Sequence, residues 1–194
     1  MNRFILTGTP GSGKTAILRQ LEIDGLAVVE EAATDVIALA QARGVDEPWK
    51  EPDFTDAVAG LQRRRQLAAD RHPRPVVFDR SPICTYALAL HLGHPVGQAL
   101  TAELDRIRDE HVYERRVFFV KGQGFITPTA ARRISLADAQ RFEQLHAEVY
   151  SSLGYDLITV EPGPLGVRTA RVRALLSHTS KSPSAPARRT ERAP

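Results

Sequence analysis

The chain has 194 residues, of which 42% are hydrophobic and 25% charged, a balance typical of a globular domain and unlike that of a disordered, fibrous or membrane protein. This length suffices for one domain with its own core, so neither disulfides nor metals are needed to hold the fold together. The single cysteine, Cys84, excludes an internal disulfide and any zinc site made of several thiolates.

The net charge of +3 lies in the C-terminal segment. Residues 178–194 are rich in Ser, Pro, Ala and Arg, show no apolar periodicity, and hold four basic residues against one acidic residue. We therefore predict a neutral folded domain over 1–177 and a disordered basic tail over 178–194. A neutral body argues against nucleic-acid binding, because such binding needs several ordered cations.

The sequence also predicts a cytoplasmic location. Its N-terminus lacks the pattern of a secretory signal, and no apolar run approaches the roughly 18 residues that a spanning helix needs. One cysteine suits a reducing compartment. We therefore expect no transmembrane segment, while the oligomeric state stays open.

Apolar runs alternate with stretches of helical spacing along the chain. The predicted strands cover 3–7, 26–30, 75–79, 116–121 and 156–160. The predicted helices cover 14–22, 32–43, 53–71, 81–92, 98–113, 135–152 and 165–176. Five strands alternating with helices predict an α/β three-layer sandwich around a mainly parallel five-stranded sheet.

The segment between the first strand and the first helix carries the most specific motif. It reads GTPGSGKT and fits G-x-x-x-x-G-K-[ST] at every fixed position. Its glycines let backbone amides converge on phosphate oxygens, and the helix start adds unpaired amides and a positive dipole end. In a nucleotide site Lys14 would reach the β and γ phosphates, and Thr15 would ligate Mg²⁺. The residues predicted to bind the nucleotide are Gly8, Thr9, Pro10, Gly11, Ser12, Gly13, Lys14 and Thr15.

Charged residues follow two other predicted strands. Asp79 ends the third strand, where a second Mg²⁺ ligand is expected, although such a residue can also cap the next helix. Arg80 would lie near the γ phosphate or the acceptor unless it forms a surface ion pair. Glu31 follows the second strand, where a carboxylate can orient an acceptor hydroxyl or take its proton, or can cap the next helix. We predict catalytic roles for all three and for Lys14.

Two further groups of arginines have different predicted roles. Arg132 and Arg133 lie in a segment with Gly and Pro after the fourth strand. A mobile cationic lid there can neutralise the charge of phosphoryl transfer and exclude water, so we predict that one of them does so, with two solvated arginines as the alternative. Arg63, Arg64 and Arg65 are consecutive on a helix and point in three directions, so they predict a solvated face.

Together these residues resemble the P-loop domains related to the nicotinamide riboside kinase half of NadR, grouped with AAA-type ATPases. The resemblance covers about 1–176 and implies a nucleoside-kinase-like P-loop NTPase fold with a lid segment. A similar Asp-Arg-Ser triplet occurs in deoxynucleoside and thymidylate kinases. The motifs that carry the resemblance are GTPGSGKT, Glu31-Ala-Ala, Phe78-Asp79-Arg80 and Tyr150-x-x-Leu-Gly-Tyr155.

Two residues of this chain differ from the family pattern at positions where an acceptor would be bound. Thr34 stands where many members of this group carry Arg, and Thr129 stands shortly before Arg132 where many carry an acid. The identity of the acceptor therefore does not follow from the resemblance.

The predicted function is that of an ATP-binding P-loop kinase, which transfers the γ-phosphate of Mg·ATP to an unidentified small-molecule acceptor through a hydroxyl or phosphate group. GTP remains an alternative, because only the lack of an Asn/Thr-Lys-x-Asp motif favours ATP. The other hypothesis is a regulatory NTPase switch whose bound nucleotide controls a protein or lipid partner.

Overall fold

The computed structural model describes residues 3–70, 72, 75–123 and 135–179. Within them, no helix has the length and apolar character needed to cross a membrane. A short 3-10 helix spans Pro48–Lys50. The strands are β1 (Arg3–Thr7), β2 (Ala27–Val29), β3 (Val76–Asp79), β4 (Arg116–Val120) and β5 (Asp156–Val160). The helices are α1 (Lys14–Ile23), α2 (Ala32–Ala42), α3 (Phe54–Ala69), α4 (Pro82–Leu92), α5 (Gln98–Asp109), α6 (Leu136–Ser152) and α7 (Leu165–Thr179).

The five strands form one parallel sheet in the order β2-β3-β1-β4-β5. At its centre, Ile5 of β1 pairs with Phe78 of β3 on one side and with Val117 of β4 on the other. Because parallel strands end at the same edge, the segments that follow β1, β2 and β3 meet there. This edge carries both the glycine-rich motif and the charged residues after β2 and β3.

Helices cover both faces of the sheet, so the predicted three-layer sandwich is confirmed. On one face, Leu18 of α1 and Val172 of α7 pack against Phe4 of β1. On the other face, α3, α4, α5 and α6 bury their apolar residues, with Ile83 and Val149 in the same cluster as Phe78. The central strands β1, β3 and β4 are therefore buried on both faces, whereas the edge strands β2 and β5 are only partly buried.

A third, smaller core lies between α2, the 3-10 helix and α3. It contains the buried Ala32, Phe54 and Val58, with Ile37 and Trp49 packed against them. This cluster gives α2 a fixed place next to the carboxyl edge of the sheet.

The helix predicted over 98–113 ends earlier, at Asp109. His111 has a left-handed backbone with φ of 49°, which a continuing helix does not allow. Val112 and Tyr113 instead enter the core, where the Tyr113 ring meets Phe78 edge-on at 5.4 Å between centroids. Core packing of these two residues thus overrides the helical spacing.

The last helix ends later than predicted. It runs to Thr179, past the predicted helix end at 176 and the predicted start of the tail at 178. No proline occurs after Leu165 until Pro183, so nothing in the sequence stops the helix at 176. The rest of the predicted tail, 180–194, lies outside the described residues.

Candidate functional site

Residues 8–15 connect β1 to α1 and form the predicted phosphate loop. Gly8 has φ of 135°, and a Cβ there would lie 2.2 Å from the carbonyl oxygen of Val120, so only glycine lets the loop pass this close to β4. Gly13 has φ of 83° immediately before α1. These two turns bring the loop amides to the positive end of the α1 dipole, which is the geometry expected of an anion-binding loop.

The Lys14 side chain is buried in this loop, with only 6% of the residue exposed. Its Nζ donates to the Thr9 carbonyl oxygen at 2.8 Å and to Ser12 Oγ at 3.4 Å. Burial, and next the charge of Arg80, lower the pKa of Lys14 to about 8, although nearby carboxylates act in the opposite direction. The ammonium group is therefore poorly solvated, and a phosphate would supply the missing negative charge.

Asp79 and Thr15 lie together at the end of β3, and Asp79 is only 4% exposed. The Thr15 side chain lies close enough to the Asp79 carboxylate to lower its pKa, while Asp79 Oδ1 has no hydrogen-bond partner among the described residues. Burial raises the pKa of Asp79, despite the opposing charge of Lys14. An unpaired, buried carboxylate oxygen beside a hydroxyl fits the chemistry of Mg²⁺, which prefers oxygen ligands.

The described residues contain no group of three or more His, Cys, Asp or Glu side chains that could hold a metal ion. The Thr15 and Asp79 pair alone is therefore a partial ligand set. Mg²⁺ commonly takes the rest of its ligands from water and substrate phosphates, so the pair suits a metal that arrives with a nucleotide.

Arg80 and Glu31 form an ion pair through Nε of Arg80 and Oε1 of Glu31. Arg80 has φ of 73°, rare for a residue with a side chain, and its amide donates to the Leu6 carbonyl oxygen at 3.0 Å. Such strained backbone often occurs at functional sites. The two predicted catalytic residues thus lie in contact although 49 positions separate them in the sequence.

Glu31 is ionised at neutral pH. Burial by itself would raise its pKa, but the charges of Arg80 and Lys14 outweigh burial and hold the pKa below its ordinary value. Thr34 Oγ1 also donates to Glu31 Oε2 at 3.0 Å. The residue that departs from the family pattern, Thr34, therefore contacts the predicted catalytic carboxylate.

The backbone that carries Glu31 is held by Arg65 of α3. Its Nη1 donates to the carbonyl oxygens of Glu30 and Glu31 at 3.0 and 2.9 Å, and its Nη2 forms an ion pair with Asp35. The predicted solvated face is therefore wrong for Arg65. Spacing along α3 could not reveal this role, because the two carbonyl groups are 35 and 34 residues away in the sequence.

A cavity of about 640 Å³ joins these groups. We call one part the phosphate half, lined by residues 10–11 and 13–15, and the other the apolar half. Glu31 and Arg80 line the same cavity. The apolar half is lined mainly by Ile37, Trp49, Phe54, Val58, Leu88 and Phe142, with Glu47, Gln62, Thr85, His91 and Asp138 among its polar residues.

Gln62 is an ordered polar group in the apolar half. The Thr85 hydroxyl donates to Gln62 Oε1 at 2.8 Å. Among the described residues, no hydrogen bond involves Gln62 Nε2, so the amide has donors left for a ligand. Sequence analysis missed Gln62, because a glutamine within a helical pattern carries no signal of its own.

A buried polar network supports the floor of the site. The Tyr150 hydroxyl lies 2.7 Å from Ser81 Oγ and 3.0 Å from Cys84 Sγ, and Cys84 Sγ lies 3.0 Å from Thr7 Oγ1. These contacts tie β1, α4 and α6 together just behind the residues described above. The predicted lid arginines, Arg132 and Arg133, lie outside the described residues.

Comparisons with known proteins agree with this architecture. A family model described as an AAA domain matches residues 3–168. No curated protein matches the chain. The chain is similar in structure to deoxyadenosine kinase from M. mycoides with bound dATP, with a TM-score of 0.62 and 12% identity over 91% of this chain and 100% of that one.

Two further structures give the same picture. Deoxyadenosine kinase from M. mycoides with products dCMP and dCDP matches with a TM-score of 0.57 and 16% identity, over 91% of this chain and 99% of that one. NadR in complex with NAD and AMP-PNP matches with a TM-score of 0.62 and 15% identity, over 96% of this chain and 51% of that one. The chain thus spans about half the length of NadR. At these identities the likeness shows the fold, and the predicted P-loop kinase-like fold is confirmed.

Proposed function

The chain belongs to the AAA-domain family whose model it matches over 3–168, and we propose that it is a kinase that transfers the γ-phosphate of Mg·ATP to a hydroxyl group of a small, uncharged acceptor. One observation carries this proposal. The ionised carboxylate of Glu31 opens into the same cavity as Lys14 and the phosphate loop. A carboxylate so placed can orient a hydroxyl toward a bound triphosphate, and the apolar half of the same cavity offers room for the molecule that carries this hydroxyl.

Each residue of the site has a defined role in this proposal. The loop amides and Lys14 bind the β and γ phosphates, and Arg80 stabilises charge on the transferred group. Glu31 accepts the proton of the acceptor hydroxyl as the hydroxyl oxygen attacks the γ phosphorus, and the bond from that phosphorus to the β–γ bridging oxygen breaks, so that ADP leaves. Mg²⁺, held by Thr15 and Asp79, would neutralise charge on the phosphate oxygens when bound.

The proposal also includes the lid segment. In it, Arg132 or Arg133 closes over the phosphates and excludes water from the transfer. This role rests on the position of the two arginines in the sequence, between β4 and α6.

The wall of the cavity favours a hydroxyl acceptor over a phosphorylated one. Within the described residues, Lys14 and Arg80 are the only Lys or Arg side chains that line it, and Arg80 is paired with Glu31. Glu47 and Asp138 add negative charge. A phosphate on the acceptor would need cations of its own, which this part of the wall lacks.

The apolar half indicates the shape of the acceptor. Trp49, Phe54 and Phe142 offer aromatic surface to a flat ring, and Gln62 Nε2 offers donors to an oxygen or nitrogen on its edge. A nucleoside-like compound combines such a ring with hydroxyl groups. The shared fold with a deoxyadenosine kinase supports this class as the first to test.

The test is phosphate transfer from γ-labelled Mg·ATP to a panel of nucleosides, nucleotides, sugars and cofactor precursors. We expect label on a nucleoside-like hydroxyl compound, and at least about a 100-fold lower kcat in Glu31→Gln, since general-base catalysis contributes that much. The affinity for ATP should change little in this variant. Glu30→Gln is the matched control, because the neighbouring Glu30 is exposed and pairs with Arg19 instead.

Two outcomes would contradict the proposal. Release of free phosphate without transfer to any compound, with Glu31→Gln as active as the wild type, would favour the regulatory NTPase. Transfer to a phosphate group rather than a hydroxyl would refute the acceptor class while leaving the kinase assignment intact.

A further inference from the structure

A buried arginine, Arg168, lies against the phosphate loop on the side of α7. Only 5% of the residue is exposed. Its Nη2 donates to the Ser12 carbonyl oxygen, and a Cβ on Gly13 would lie 2.8 Å from its Nη1. The guanidinium group therefore packs directly on the Ser12–Gly13 peptide, and the lack of a side chain at Gly13 makes room for it.

This arginine has no acidic partner in the described part of the chain. No carboxylate lies within ion-pair distance of Arg168 there, and its buried Nε has no hydrogen-bond partner. With the Gln123 amide oriented so that its oxygen faces Arg168, that oxygen accepts from Nη1 at 2.9 Å and from Nη2 at 3.3 Å. Burial lowers the pKa of Arg168 below its ordinary value.

A buried cation without a counterion is unusual, because charged side chains are almost never buried unpaired. Arg80 shows the ordinary arrangement, since it is only partly buried and has Glu31 as its partner. Neutral oxygens of Ser12 and Gln123 accept hydrogen bonds from Arg168, but no carboxylate of the described residues compensates its charge. Such a charge next to an anion-binding loop is balanced when a polyphosphate occupies the loop.

The geometry of the peptide bond connects Arg168 to the ligand side of the loop. In a trans peptide the carbonyl and the N–H point in opposite directions. A donor that holds the Ser12 carbonyl therefore turns the Gly13 N–H away from Arg168 and also polarises it. Gly13 lines the cavity, so this N–H belongs to the phosphate half.

We propose that Arg168 is a positioning residue for nucleoside polyphosphates, which acts through the Ser12–Gly13 peptide and supplies an unpaired positive charge behind the phosphate loop. The inference rests on the proposed nucleotide-binding function. It adds a residue from outside the motif, 156 positions from its contact in the loop. It also explains why the first turn of α7 places a long cation where an apolar residue would cost less to bury.

The experiment compares Arg168→Met, Arg168→Lys and the control Arg171→Met, an exposed arginine on the same helix. Calorimetric titration gives the Kd of each for Mg·ATP, Mg·ADP and AMP, and thermal unfolding gives the stability without nucleotide. We expect Arg168→Met to weaken Mg·ATP binding by about 10-fold or more, since hydrogen bonds to charged groups contribute that much. The loss should decrease from ATP to ADP to AMP.

The lysine variant separates charge from geometry. Arg168→Lys keeps the positive charge but loses the planar guanidinium group, so we expect a smaller loss of ATP affinity than in Arg168→Met. The loss should again decrease from ATP to ADP to AMP. Arg171→Met should match the wild type. If Arg168→Met does not fold, a weaker Mg·ATP Kd in Arg168→Lys still supports the proposal.

Other results would overturn it. A purely structural role predicts a lower melting temperature in both Arg168 variants, with the Kd for Mg·ATP equal to that of the wild type in every variant that folds. An equal loss of affinity for ATP, ADP and AMP would also exclude a role in polyphosphate recognition. If the wild type itself binds no nucleotide, the proposed function fails first, and that result is distinct from a failure at Arg168 alone.

Discussion

The two halves of the cavity are built by different means. The phosphate half is lined by residues 10–11 and 13–15 of one continuous loop, where the backbone conformation and Lys14 would provide the binding groups. The apolar half is assembled from side chains of α2, the 3-10 helix, α3, α4 and α6, which are far apart in the sequence. Glu31 and Arg80 line the same cavity as the residues of the two halves.

Under the proposed function, this difference follows from what each half has to recognise. A triphosphate is the same in every nucleoside triphosphate, so backbone amides in a fixed loop are sufficient and tolerate little variation. An acceptor is recognised by shape and by a few polar groups, which side chains supply and substitution can change. Changes in the apolar half should therefore alter acceptor choice or turnover while nucleotide affinity stays the same.

The largest effect is expected in the phosphate half, from Lys14→Ala. Removing the ammonium should weaken Mg·ATP binding by about 100-fold, because in the proposed site this charged group contacts the phosphates directly. Stability without nucleotide should not fall, since a poorly solvated buried cation is removed. Calorimetric titration and thermal unfolding measure the two quantities.

Arg19→Ala is the control for this prediction. Arg19 lies on the same helix, is half exposed, and pairs with Glu22 and Glu30 at the surface. We expect wild-type affinity in this variant. Unchanged ATP affinity in Lys14→Ala would remove the phosphate loop from the binding site.

The sequence predicted the phosphate half better than the apolar half. The motif at 8–15 is contiguous, and its strand-loop-helix setting is visible in local patterns alone. Asp79, Arg80 and Glu31 could be placed because they follow strands whose ends share one edge of a parallel sheet. The contact between Arg80 and Glu31 needed in addition only the knowledge that β2 and β3 are neighbours in the sheet.

The rest could not be predicted, because it depends on contacts across the fold. Arg65 reaches the backbone of Glu31 from a helix that carries three consecutive arginines, and only its orientation in the packed structure distinguishes it from Arg64. Arg168 contacts Ser12 from the other end of the chain. Local spacing carries no information about either pair.

A smaller effect is expected from Arg65→Gln, which acts on the segment that carries Glu31. The variant loses the donor that holds the carbonyl oxygens of Glu30 and Glu31, so the Glu31 carboxylate should become less well oriented. We expect kcat to fall by about 10-fold, since small misplacements of catalytic groups have effects of at least this size. The Kd for Mg·ATP should stay unchanged.

Arg64→Gln is the matched control, because Arg64 is the exposed neighbour on the same helix. Arg65→Lys should recover part of the activity, since the ammonium group of lysine can donate to one of the two carbonyl oxygens but lacks the planar guanidinium group that reaches both. A loss of stability in Arg65→Gln with full kcat would mean that Arg65 only attaches α3 to the segment after β2.

The smallest effect is expected from removal of residues 180–194, which carry the excess positive charge of the chain. Charge on a polar tail without apolar periodicity attracts a nucleotide only over the screening distance, whereas in the proposed site Lys14 and Arg80 would act on it from the wall of the cavity. At physiological salt that distance is about 8 Å, so we expect the Kd for Mg·ATP to change by less than about twofold. A lower salt concentration should strengthen any contribution of the tail to the ATP affinity of the full chain. The ATP affinity of the shortened chain should change less. A large loss of affinity at physiological salt would instead show that the tail is part of the binding site. The charges of the tail would then matter for nucleotide binding as well as the cations that line the cavity.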